Sequence, residues 1–74
     1  AERRRARVAR EEGERRWAML SVREREVVLG AVAGRLNKQI AAELGITEST
    51  VKQYRGTAMR KLRVDSVPDA LQLL

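Results

Sequence analysis

With 74 residues, the chain can fold around one small core but not two, so whatever it does is carried by a single compact domain. It has neither cysteine nor histidine, which removes disulfide staples, zinc sites and the commonest general base, and leaves helix packing as the source of stability. Sixteen Lys and Arg against ten Asp and Glu leave a net charge of +6, the balance of a protein that meets polyanions; basic residues that only solvate a surface would give the same number, so motifs must decide. No secretory leader and no apolar run of membrane-spanning length occurs, and a cytoplasmic protein without membrane contact is expected. Ala, Leu, Arg and Glu abound, there is one Pro and no Phe, and β-branched residues never alternate with polar ones, so the chain is predicted to be all-α.

Residues 1–19 form a first, highly charged segment. Residues 1–20 hold seven Arg and four Glu, and the only large apolar residue before Trp17 is Val8. Opposite charges four apart, Arg7 with Glu11, Glu11 with Arg15 and Glu12 with Arg16, support a helix that Gly13 weakens. Its apolar stripe of Ala6, Ala9, Gly13, Trp17 and Leu20 is thin, and a solvated connector helix is expected, cut from a linker to a further domain, since the chain begins at Ala1. Residues 20–74 are expected to form the folded domain.

Ser21-Val22-Arg23-Glu24 is a capping box, and Val27, Val28, Ala31 and Val32 give the helix that follows an apolar face, with Gly34 suited to end it; this predicts a helix over about 22–33. Asn37 is suited to cap a short second core helix with Ile40, Ala41 and Leu44 facing inward and Gly45 ending it. Ile46 anchors a turn, Thr47 or Glu48 opens a third helix to about Leu62, and Val51, Tyr54, Ala58 and Leu62 form its apolar side. After a break at Arg63-Val64-Asp65, Ser66-Val67-Pro68-Asp69 starts a fourth core helix with Val67, Ala70, Leu71 and Leu74 turned inward and Leu73 left outside.

Two helices joined by a tight Gly-Ile-Thr corner have the spacing of a helix-turn-helix, whose second helix lies in the major groove of DNA. Opposite the apolar side of the third helix lie Ser49, Gln53, Gly56, Thr57 and Arg60, flanked by Lys52, a face without an acid. Such a face suits base edges and phosphates, although most polar helix faces are merely solvated. Gly56 costs about 0.8–1.0 kcal/mol against Ala in a helix interior, which fits either a close approach or simple tolerance. The carboxylates, at Glu24, Glu26, Glu43, Asp65 and Asp69, fall at caps and on outer faces elsewhere and do not converge. No catalytic residue, metal site or cofactor is expected.

Leu20-Ser21-x-Arg23-Glu24-Arg25-Glu26-Val27-Val28, Asn37-Lys38-x-Ile40-Ala41, Thr50-Val51-Lys52, Met59-Arg60-Lys61-Leu62 and Ser66, in this order and spacing, resemble the LuxR/FixJ-type effector domain over roughly residues 20–74. Arg55-Gly56 and the charged segment ahead resemble FixJ-like response regulators in particular. The resemblance implies a four-helix domain behind a linker helix, the output end of a two-component regulator with an N-terminal receiver domain, and double-stranded DNA as partner. It implies base readers at Lys52, Gln53 and Gly56, and backbone contacts around Asn37, Lys38, Thr47, Ser49, Thr50, Tyr54, Arg55 and Arg60. Tyr54 departs from the histidine common in the family, so it either touches phosphate or packs, and Arg55 is divided between phosphate contact and packing of its stem. Family dimers form through the last helix, which makes Leu73 the candidate contact for a homodimer on two half-sites; RNA polymerase is a further implied partner. Two other readings are weighed: region 4 of a sigma factor, which shares the Arg-Glu-Arg-Glu opening and Thr-Val-Lys, and a helical protein-interaction module whose basic segment meets an acidic helix. Asn37-Lys38 and the fourth core helix favour the LuxR/FixJ type over the sigma factor.

Overall fold

A computed structural model describes the backbone of residues 2–73 and the side chains of residues 3–72, and every regular element among them is an α-helix. The order is α1 (Glu2–Ala18), α2 (Val22–Val32), α3 (Asn37–Leu44), α4 (Glu48–Leu62) and α5 (Val67–Leu73). The predicted connector is α1, and the four predicted core helices are α2 to α5.

Local chemistry sets most of the boundaries. Ser21 Oγ accepts from the Glu24 N–H at 3.1 Å while the Glu24 carboxylate accepts from the Ser21 N–H at 2.7 Å, which satisfies two free donors at the start of α2. Gly34, at φ +85°, takes the left-handed turn that ends α2, and its N–H and that of Arg35 donate back to Ala31 and Gly30. Gly45, at φ +69°, does the same for α3. Thr47 caps α4 by accepting from the Thr50 N–H at 3.1 Å. Arg63 closes α4 at φ +57°, a conformation that costs a non-glycine residue about 1 kcal/mol. Backbone bonds from Arg63 to Arg60 and from Val64 to Met59 hold it there.

The start of α3 differs from expectation. Leu36 occupies the cap position, its N–H donating to Gln39 Oε1 at 2.9 Å, and Asn37 is the first helical residue. The Asn37 side chain is thereby free to leave its own backbone, and it accepts from Arg55 on α4 instead.

Packing centres on α4, which touches α1, α2 and α3. Its first half places Val51 in a cluster with Val27, Ala31, Ile40 and Ala41; its second half places Ala58 and Leu62 in another with Leu20, Val28 and Ala70. Burying a side chain such as Ile40 or Leu62 contributes about 1.5–3 kcal/mol, so a helix that enters both clusters is held in one rotation. At the α2–α3 crossing, Gly30 lets Ile40 approach so closely that a Cβ there would lie 3.0 Å from Ile40 Cγ1.

Two further expectations need correction. The second half of α1 is not a solvated connector: Gly13 is buried, Trp17 packs on the Leu20, Val28 and Leu62 cluster, and α1 touches α4 and α5. One tryptophan carries enough apolar area to dock a helix whose other faces are charged. Only the first half projects, with Val8 on its exposed surface, consistent with overall dimensions of 46 × 21 × 17 Å. Its ion pairs follow the expected spacing at Arg7–Glu11 and Arg16–Glu12, but Arg15 turns back three residues to Glu12 rather than four to Glu11.

In α5, Ala70 is fully buried but Leu71 is exposed rather than inward. Leu71 lies about 100° from Ala70 on an ideal wheel, far enough to leave the buried side that Ala70 defines. The expectations for the side chains of Leu73 and Leu74 lie outside the described residues.

Candidate nucleic-acid interface

The corner between α3 and α4 is built from Gly45, Ile46 and Thr47. Ile46 and Leu44 are half-buried against the Ile40 and Val51 cluster, which fixes the angle at which α4 leaves the turn. With Val51, Ala58 and Leu62 inward, Ser49, Lys52, Gln53 and Arg60 are exposed and Gly56 and Thr57 are half-exposed between them. The only carboxylate on α4 is Glu48 in its first turn, where the helix dipole favours it. Among the described residues Lys52 forms no ion pair, so its ammonium is directed by nothing but solvent.

The flanking residues are more constrained. Thr47 and Thr50 share a hydroxyl contact of 2.9 Å at the start of α4, and Lys38 is exposed on α3. Tyr54 is half-buried and packs on the Val27, Ile40 and Val51 cluster, so its ring serves the fold, whatever its hydroxyl meets. Arg55 is half-buried and its guanidinium donates to Asn37 Oδ1 at 3.2 Å, bridging α4 to α3. Arg60 donates to Thr57 Oγ1 at 3.2 Å from the exposed side. The structure thus brings Lys52, Gln53, Gly56 and Arg60 onto one outer stripe and places Asn37, Lys38 and Arg55 on the α3 side of it.

Nothing within the domain demands glycine at position 56. A Cβ there would meet only the Arg60 guanidinium at 3.5 Å, an ordinary contact. Gly56→Ala is therefore expected to stabilise the free domain by about 0.8–1.0 kcal/mol through helix propensity, seen as a melting temperature several degrees higher. If the glycine exists for close approach of a ligand, the same variant binds DNA more weakly; equal or tighter binding would show that the position is merely tolerant.

Of the ion pairs that the sequence does not foretell, one is buried. Glu24, expected among acids at caps and on outer faces, is buried, and its carboxylate takes a bond of 2.7 Å from Lys61 Nζ besides the one from the Ser21 N–H. Lys61 also donates to the Met19 carbonyl at 3.3 Å. The Lys61 ammonium first, and the Ser21 N–H next, hold the Glu24 carboxyl below its ordinary value of 4.5 against the opposing effect of burial. This pair ties the start of α2 to the end of α4 and so sets where the outer stripe points. The capping box accounts for Glu24 locally, and no signal in the sequence distinguishes a cap that is also buried.

Among the described residues no group of His, Cys, Asp and Glu is arranged to hold a metal, and no helix is long and apolar enough to cross a membrane. A braced first helix, a tight corner and a second helix that presents an outward face rich in donors define a helix-turn-helix domain of the DNA-binding kind. Residues 18–74 match the family model for bacterial regulatory proteins of the luxR family, and the chain belongs to that family. This removes the sigma-factor reading. Nodulation protein W of Bradyrhizobium diazoefficiens is 48% identical over 54 residues, which are 73% of this chain and 24% of that protein. The transcriptional regulatory protein FixJ of Azorhizobium caulinodans is 43% identical over 65 residues, 88% of this chain and 31% of that one. The solved structure of the response regulator StyR superposes with a TM-score of 0.89 at 44% identity, covering 99% of this chain and 37% of its own. The chain thus spans less than a third of the length of either of these two curated relatives.

Proposed function

We propose that the chain is the output domain of a phosphorylation-controlled response regulator, acting in the cytoplasm by binding rather than by catalysis. Residues 1–19 join it to an N-terminal receiver domain, and residues 20–74 bind double-stranded DNA with α4 in the major groove. The observation that carries this reading is the outer stripe of α4: aligned donors, one of them the ammonium of Lys52, which has no ion-pair partner among the described residues, on a helix held in one rotation by two core clusters. Lys52 and Gln53 read base edges and Gly56 lets the helix sit close. Lys38, Ser49, Thr47, Thr50 and Arg60 meet the sugar-phosphate backbone. Asn37 and Arg55, bonded to one another, present the remaining guanidinium donors to a phosphate as a pair, and the Tyr54 hydroxyl is proposed as a further backbone contact.

A single module offers few readers, so two copies on half-sites about one helical turn apart supply the specificity, with α5 as the contact between them. Exposed Leu71 supports an apolar contact on α5. Leu73, whose side chain is not among those described, is the second proposed contact, and RNA polymerase is the protein partner of the assembled dimer.

Selection of duplexes from a random pool, followed by binding measurements across a salt series, tests the reading. An enriched half-site pair is expected, with log affinity falling with log salt by about 0.9 for each phosphate neutralised. Absence of any enriched sequence, with equal and weak binding to all duplexes, would refute it and favour an acidic protein partner for the basic surface.

A further inference from the structure

Where α1 crosses the end of α4, a cleft of about 400 Å³ opens that no local sequence pattern foretells. Arg15, Arg16 and Glu12 line it from α1, and Arg60, Lys61 and Arg63 from α4 and its cap. Five cations therefore face a single carboxylate. Glu12 is shared between Arg15 at 2.6 Å and Arg16 at 3.3 Å, and Lys61 is committed to Glu24. Arg60 and Arg63 have no acidic partner among the described residues, and the buried Nε of Arg16 makes no well-directed hydrogen bond. An excess of guanidinium donors converging on an open cleft is suited to oxyanions, above all to phosphate, which guanidinium binds through two parallel bonds.

The cleft is continuous with the outer stripe of α4. Arg60 belongs to both: it follows Gln53 and Gly56 on one face of the helix and also lines the cleft. At about 1.5 Å per residue, Arg60 lies roughly 10 Å along the axis from Gln53, comparable to the roughly 12 Å width of the major groove. The strand that bounds the groove on that side then passes beside the cleft.

We infer that this cleft is a second phosphate-binding surface, which takes the backbone of the same DNA duplex beyond the bases read by Lys52 and Gln53. The inference rests on the DNA-binding reading above and extends it, because it gives the docked half of α1 a part in binding: Trp17 seats the helix, and Arg15 and Arg16 enlarge the contact with DNA. The ligand is recognised by charge and shape alone, so the cleft adds affinity and leaves sequence preference unchanged.

The test uses the whole chain and a selected duplex with long flanks, with affinity measured across a salt series. Arg15→Gln combined with Arg63→Asn removes two cations from the cleft; asparagine is chosen because it tolerates the left-handed backbone at position 63. The slope of log affinity against log salt is expected to flatten by about one for each phosphate left without its cation, about two in the double variant, with the ranking of duplexes unchanged. Arg7→Gln with Arg10→Gln removes the same charge from the projecting half of α1 and should leave the slope nearly unaltered. Glu12→Gln, which frees Arg15 and Arg16, should steepen the slope and tighten binding. Equal flattening by the two arginine pairs, or none by the cleft pair, would overturn the inference while leaving the α4 reading intact. Failure of the unaltered chain to bind any duplex with salt dependence would instead overturn the DNA-binding reading itself, and the inference with it.

Discussion

Lys52→Ala is expected to weaken binding to the selected duplex by on the order of 10- to 100-fold and to leave the stability of the free domain within about 0.5 kcal/mol. The side chain is exposed and makes no ion pair among the described residues, so its removal costs the fold nothing that packing or electrostatics supplied. On the proposed reading the same ammonium reaches guanine acceptors or a phosphate in the groove, and a good base contact carries about 1–3 kcal/mol of discrimination. Those alternatives separate in one experiment. A base reader loses preference at one position of the half-site, whereas a phosphate contact lowers affinity for every duplex alike and flattens the salt slope by about one. Lys38→Ala, on α3, serves as the comparison and should show the second pattern. Unchanged affinity in Lys52→Ala would remove α4 from the groove.

Lys61→Met should cost the free domain about 2–3 kcal/mol, or on the order of 10–20 °C in melting temperature for a domain of this size. Methionine keeps most of the stem but leaves the Glu24 carboxylate, 4% exposed, with the Ser21 N–H as its remaining donor. The figure lies below the usual cost of splitting a buried pair because the Lys61 side chain is 34% exposed and water can enter from that side. The pH dependence gives an independent signature. The folded pKa of Glu24 is depressed below 4.5, so the unfolded chain binds the proton more readily than the folded one. The stabilisation is therefore present above about 4.5 and is lost as pH falls through the folded value. Unaltered protein should lose stability on acidification below that point more steeply than Lys61→Met, and the gap between the two melting temperatures should narrow. A gap that stays constant down to about pH 3 would show that packing of the lysine stem, and not the ion pair, is what matters.

The pair also bears on binding, since it joins the end of α4 to the start of α2. Loosening it lets α4 change its angle while every residue of its outer stripe is still present. Lys61→Met is thus expected to affect affinity through the fold, and the effect should shrink when binding is measured well below the melting temperature of the variant.

The sequence by itself determined what depends on neighbours within one or two turns. The Ser21–Glu24 box, Gly34 and Gly45, the Thr47 cap and the inward series Val51, Ala58 and Leu62 each act within a turn or two of the chain, and each occurs where expected. From those, the four core helices, the helix-turn-helix and the acid-poor stripe with Lys52 and Gln53 follow. What lay beyond reach was set by distance along the chain. Glu24 and Lys61 are separated by 37 residues and Asn37 and Arg55 by 18, and nothing local marks either pair. For Arg55, divided between two roles by the wheel alone, the bond to Asn37 is likewise visible only in the structure. The docking of α1 turned on Trp17 finding the Leu20 and Leu62 cluster, a match of shapes that a weak stripe could not foretell. The inward direction of α5 turned on which side of it is buried, and with Ala70 inside Leu71 falls outside. Tertiary packing alone also brought Arg15 and Arg16 beside Arg60 and Arg63. Charge patterning placed these arginines on two separate helices, and only the crossing of those helices makes them one surface.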